Sequence, residues 1–145
     1  MPHAQNRIVK EAFHRIRRGE SPAISEIAHT LRMSPNEISN HLQIMLEHGS
    51  ITLEEESITG AGGLSTTVTP HQLRLDGVDL FCWCALDTLG IPSALGSNAS
   101  VSSPYASNGE IAKLEFEKGR LTKAPTGIFL QLAPPSQARL LCGGT

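Results

Sequence analysis

The sequence predicts an α+β protein: an N-terminal three-helix, winged-helix-like region packed on a small mixed or antiparallel sheet that carries a short helix. Three observations lead there. Apolar residues recur at three-to-four spacing through the first fifty positions, strand-like alternation and glycine-rich turns follow, and a Cys-Trp-Cys segment interrupts the strands with a helix start. The expected organisation is a winged-helix-like region over 1–62 and a core over 63–145.

In the helical third, Ile8, Ala12, Phe13 and Ile16 define one amphipathic face, and Ile24, Ile27, Ala28 and Leu31 a second, shorter one. Ser34-Pro35-Asn36-Glu37 carries the signature of a third helix start: a capping hydroxyl, a proline suited to the first turn, and a carboxylate three residues on. Ile38, His41, Leu42, Met45 and Leu46 then share a face, and Gly49 ends the helix.

Beyond Ile51 the pattern predicts a wing over residues 51–69, with its turn in Gly60-Ala61-Gly62-Gly63 and a returning strand from Ser65 to Thr69. His71 to Leu75 alternates, Asp76-Gly77 is a hairpin turn, and Val78, Leu80 and Cys82 share the next strand's face. A short helix is expected over Cys84 to Leu89, closed by Gly90 and Pro92. Ser97 to Asn108 reads as loop around a Val101-centred strand. Ala112, Leu114 and Phe116 alternate, and Gly127 to Leu132 reads as a buried strand.

Composition narrows the function classes. The 145 residues are 39% hydrophobic and 18% charged, which suits a folded, soluble chain. No run approaches the roughly 20 apolar residues that span a bilayer, and the N-terminus lacks a secretory h-region, so no membrane association and a cytoplasmic location are expected. Twelve basic residues against fourteen acidic ones, a formal charge of -2, do not call for a polyanionic partner. No Lys or Arg lies between Arg32 and Arg74, a gap that covers the third helix and the wing, while Glu54-Glu55-Glu56 adds negative charge there. DNA affinity rests on such cations, so no nucleic-acid partner is expected. The basic cluster Arg15-Arg17-Arg18 reads as a solvated helix end.

Three cysteines, an odd number, argue against a closed disulfide framework and read as free thiols in a reducing compartment. With Cys84 at a helix start, its sulfur lies near unpaired backbone N–H groups, and Asp87, three residues on, falls on the same face. The bland reading is a small buried hydrophobe beside a helix-capping carboxylate. The tight Cys82-x-Cys84 spacing does not fit a zinc site.

These residues carry a resemblance. Gly63-Leu64-Ser65, Thr69-Pro70-His71 and, above all, Trp83-Cys84-Ala85-Leu86-Asp87-Thr88-Leu89 resemble the organomercurial (alkylmercury) lyases, the MerB family. Pro92, Leu95-Gly96 and Val101-Ser102-Ser103 continue the likeness. The resemblance implies protonolysis of a carbon–mercury bond, giving a hydrocarbon and Hg(II), in mercury detoxification. It implies catalytic roles for Cys84, Asp87 and Cys142 on a short active-site helix and a late core strand. Mercury would be held as substrate and product by Cys84 and Cys142; Cys82, which has no family counterpart, reads as a buried bystander or else as a third metal ligand. No cofactor is implied. The partners implied are an organomercurial substrate and, as Hg(II) acceptors, cytosolic thiols or a mercuric reductase.

The sequence departs from the family at three places. Cys82 stands where no family cysteine is expected, Tyr105 stands near where many family members carry a further, noncatalytic cysteine, and the chain is expected to be shortened, ending at Cys142-Gly143-Gly144-Thr145. Two other functions fit the residues: a non-catalytic homologue that sequesters soft metals (Hg or Cu), and a winged-helix, metal-responsive regulator.

Overall fold

The computed structural model describes residues 3–127, in two compact units divided between Thr67 and Val68. Helices and antiparallel strands build both. Within each unit the strand pairings are antiparallel, which is the antiparallel alternative of the expected sheet.

The first unit holds α1 (His3–Ile16), α2 (Ile24–Leu31), α3 (Pro35–Glu47) and the strands β1 (Ile51–Glu54), β2 (Ser57–Ala61) and β3 (Leu64–Ser65). Gln5, Ile8, Ala12 and Ile16 form the buried stripe of α1, and Ile38, Leu42 and Met45 that of α3. Leu46, expected on that face, is largely exposed. Ser34 caps α3, its hydroxyl accepting the Glu37 N–H at 3.2 Å, with Pro35 in the first turn. The segment before α2 joins the β-structure, because Ile24 N–H donates to the Glu56 carbonyl and Ile58 N–H to that of Pro22.

The strands after α3 differ from the wing read from the sequence. Their first turn lies at Glu55-Glu56, not in the glycine run, and Glu55 takes a left-handed φ of 53°. The glycines at 62 and 63 make a second turn, and the returning strand is only Leu64–Ser65. Burial explains the shift: Ile58 to Ala61 are all buried, so this stretch takes the central strand, while the three glutamates stay in water at the turn.

The second unit contains β4 (His71–Leu75), β5 (Val78–Cys82), α4 (Ala85–Leu95), β6 (Ala99–Pro104), β7 (Ile111–Glu117) and β8 (Arg120–Lys123). Its strands run β5-β4-β6-β7-β8. Leu73, Leu75, Leu80, Cys82, Val101, Ala112, Leu114 and Phe116 are buried at alternating positions, which is the period-2 signal of strands with one covered face. Asp76-Gly77 and Lys118-Gly119 connect hairpins with two consecutive positive φ angles, the geometry that matches strand twist.

The short helix expected to close at Gly90 instead runs eleven residues, through Gly90 and Pro92, to a left-handed Gly96. Pro92 removes one backbone donor. Its ring is buried, as is Ile91 beside it, and α4 lies against β4, β5 and β6. Burial of this face offsets the lost hydrogen bond, and the helix stops where Gly96 N–H reaches back to Pro92 and Ser93.

That C-terminus is held by close approach. Gly119 N–H donates to the Ser97 carbonyl at 2.9 Å, and a Cβ on Gly119 would lie 2.8 Å from the Gly96 Cα. Gly119→Ala therefore meets both backbone strain and a backbone clash, whereas Gly77→Ala, at a similar φ, meets open space. The expected destabilisation is about 3 kcal/mol for the first and about 1 kcal/mol for the second, measured by urea denaturation.

Candidate functional site

The chain leaves β5 at Cys82, passes Trp83, and enters α4 with Cys84 as the residue flanking the first turn. Cys84 is extended, φ −150° and ψ 171°, and Asp87 occupies the third helical position. One oxygen of Asp87 accepts two hydrogen bonds from the same residue, from the Cys84 backbone N–H at 3.2 Å and from its thiol at 3.3 Å. The carboxylate thus satisfies a donor at the helix start while holding the thiol proton. Helix geometry brings the pair within reach of each other, because residues at the N-cap and third positions lie on the same side of the first turn.

Burial tunes the pair. Asp87 is pushed above the ordinary carboxylate range mainly by desolvation, and the two Cys84 hydrogen bonds and the field of His71 oppose that rise. In contrast to its neighbour Cys82, Cys84 is half-buried. Leu86, on the first turn, is 48% exposed and adds an apolar surface beside it.

Cys82 is different. It is fully buried at the end of β5, and desolvation, with the neighbouring Asp87 and Cys84, pushes its thiol far up. A protonated, buried thiol is a poor soft-metal ligand, because the thiolate is the ligating form. No group of three or more His, Cys, Asp or Glu side chains converges into a metal site among the described residues. Cys142 lies outside the described residues, as does most of the strand expected over 127–132.

Three residues given no role in the sequence reading surround this corner. His71 pairs across the sheet with Cys82, and its Nδ1 lies 2.6 Å from the Ser103 hydroxyl. Burial lowers the His71 pKa, against the attraction of Asp87. The Thr69 hydroxyl donates to the Cys82 carbonyl at 2.5 Å and accepts the His71 N–H at 3.2 Å. Thr69-Pro70-His71 and Val101-Ser102-Ser103 both stand out in the sequence; the signal was there, and only the strand register shows that the two meet.

The raised Asp87 pKa sets a sign for stability. From about pH 3.8 up to its higher folded value, the folded chain binds more protons than the unfolded one. Its stability therefore falls as pH rises through that window, as the half-buried carboxylate becomes charged. Asp87→Asn removes this slope. Denaturation of both proteins at a series of pH values should show the variant gaining on the wild type as pH rises above about 3.8.

Comparison with known proteins bears on the same segment. The family described as MerB, alkylmercury lyase, matches residues 64–142. The chain is 31% identical over 118 residues to the alkylmercury lyase of Bacillus cereus, covering 81% of this chain and 53% of that protein. It is 38% identical over 81 residues to the alkylmercury lyase of Pseudomonas putida, covering 56% of this chain and 34% of that one. Its fold matches the crystal structure of the mercury-bound form of MerB2 with a TM-score of 0.82 at 28% identity, covering 88% of this chain and 62% of that structure. The chain spans about half the length of the Bacillus relative. A family match over more than half of the chain, across the segment that bears the thiol and the carboxylate, makes this chain a member of the alkylmercury lyase family.

Proposed function

We propose that the chain is an organomercurial lyase that breaks carbon–mercury bonds by protonolysis, with a core from residue 63 onward. The observation that carries the reading is the Cys84 thiol hydrogen-bonded at 3.3 Å to a half-buried carboxyl whose proton affinity is raised. Membership of the family and the likeness to a mercury-bound structure support it.

The chemistry follows from softness and proton supply. In an organomercurial R–Hg–X, the Cys84 sulfur bonds to mercury as its thiol proton passes to Asp87. Cys142, assigned by family resemblance, supplies the second sulfur, and its proton leaves with X as HX. Two thiolates raise electron density on mercury and weaken its bond to carbon. The Asp87 proton then goes to carbon, whose electron pair comes from the breaking Hg–C bond. The products are RH and Hg(II) held by two sulfurs, so atoms and charge balance. Asp87 acts as a positioned general acid in a partly desolvated site. Small thiols or a mercuric reductase in the cytoplasm are the acceptors for Hg(II), by exchange of one soft ligand for another. Cys82 stays a buried bystander in this scheme.

The N-terminal region, 1–62 in this reading, is a winged-helix-like structural element rather than a nucleic-acid reader. In support, Arg15 is occupied by Glu11 at 3.0 Å and Glu26 at 2.9 Å, and Arg18 by Glu20 at 3.0 Å. No described helix is long and apolar enough to cross a membrane, in keeping with a substrate taken from solution.

The test is hydrocarbon release. Purified protein with phenylmercury and excess small thiol should release benzene, Cys84→Ala should abolish release, and Asp87→Asn should lower kcat by about 100-fold or more. Tight Hg(II) retention with no benzene would replace the lyase by a soft-metal-binding protein.

A further inference from the structure

A lyase of this kind needs its thiol held against its acid before substrate arrives, because orientation supplies much of a positioned group's effect. Cys84 and Asp87 are neighbours on one turn, yet their meeting depends on where the chain leaves β5. The linking residue, Trp83, belongs to neither β5 nor α4. What fixes this exit is the last rung of the β4–β5 ladder, His71 opposite Cys82.

Side chains reinforce that rung from outside the ladder. Thr69 precedes β4 and bridges the two strands, accepting from the His71 N–H at 3.2 Å and donating to the Cys82 carbonyl at 2.5 Å. A carbonyl two residues before Cys84 is thereby tied to a hydroxyl on another part of the chain. On the far side, the His71 imidazole is tied by Nδ1 to the Ser103 hydroxyl at 2.6 Å, which anchors the first residue of β4 to β6. Ser103 is buried, so this end of the belt is shielded from competing water. The belt thus runs β6, β4, Thr69, β5, and ends at the base of the thiol segment.

We propose that Thr69, backed by His71 and Ser103, is the positioning residue that holds Cys84 against Asp87. Thr69 does not touch the reacting atoms. It acts through the Cys82 carbonyl, and its hydroxyl, not its methyl group, is the functional part. For catalysis the proposal rests on the lyase reading; for the placement of the thiol it does not.

The experiment compares Thr69→Val, which keeps the shape and removes the hydroxyl, with Thr69→Ser, which keeps the hydroxyl. The full-length chain is labelled with iodoacetamide under native conditions, and Cys84 is followed by peptide mass spectrometry apart from Cys82 and Cys142. In Thr69→Val, Cys84 should label about threefold or more faster, released from its half-buried place beside Asp87. Thr69→Ser should label at the wild-type rate. With phenylmercury and excess thiol, Thr69→Val should lower kcat about fivefold with KM unchanged, and Thr69→Ser should restore it. If Thr69→Val unfolds several degrees below the wild type, Ser103→Ala cuts the belt at its far end and takes its place in both assays.

Wild-type labelling in Thr69→Val, or equal acceleration in Thr69→Ser, overturns the proposal. Faster labelling with kcat unchanged overturns its catalytic part. Absence of benzene from the wild type sinks the lyase reading alone, since the labelling rates still decide whether Thr69 places the thiol.

Discussion

The start of α4 is the constraint from which the rest of the site follows. A helix beginning at the end of a strand exposes backbone N–H groups that need acceptors. Here the acceptor is the Asp87 carboxylate, which takes the Cys84 N–H and the Cys84 thiol on one oxygen. A capping arrangement set at the end of β5 therefore brings a sulfur and an acid to the same point. Partial burial changes the meaning of that cap. In water the carboxylate would be charged and inert as an acid; desolvation raises its affinity for a proton.

The two neighbouring cysteines show how position outweighs residue type. Cys82 lies on a covered strand face, and full burial raises its thiol's hold on the proton; Cys84, two residues on, lies at a helix start and is half-buried. The alternation of a strand and the opening of a helix separate them in space and in chemistry, although their side chains are chemically identical.

Much of this was legible beforehand. Cap chemistry placed α3, since Ser34, Pro35 and Glu37 each act locally. The Asp76-Gly77 turn and the alternation of β4, β5 and β7 were equally clear, because hairpin and strand signals depend on near neighbours. Cys84 and Asp87 could be paired from spacing alone. What failed was competition between local signals and packing. Gly90 and Pro92 look like a stop, yet a buried face carries α4 onward to Gly96. The glycine run at 60–63 looks like the wing's turn, yet burial claims Gly60 and Ala61 for β2. β8 leaves no burial pattern in the sequence, because all four of its residues are exposed. The Thr69–His71–Ser103 belt was unreadable for another reason: it joins residues 32 positions apart through strand register, which no local pattern encodes.

The contact between Gly119 and Gly96 has a consequence at the opposite end of α4. An eleven-residue helix is a stiff rod of about 16 Å, and axial displacement at one end reappears at the other. The β7–β8 turn abuts the base of this rod with no room for a methyl group. A residue bulkier than glycine at 119 would press on that end of the helix, and a rigid shift of α4 would carry its first turn with it.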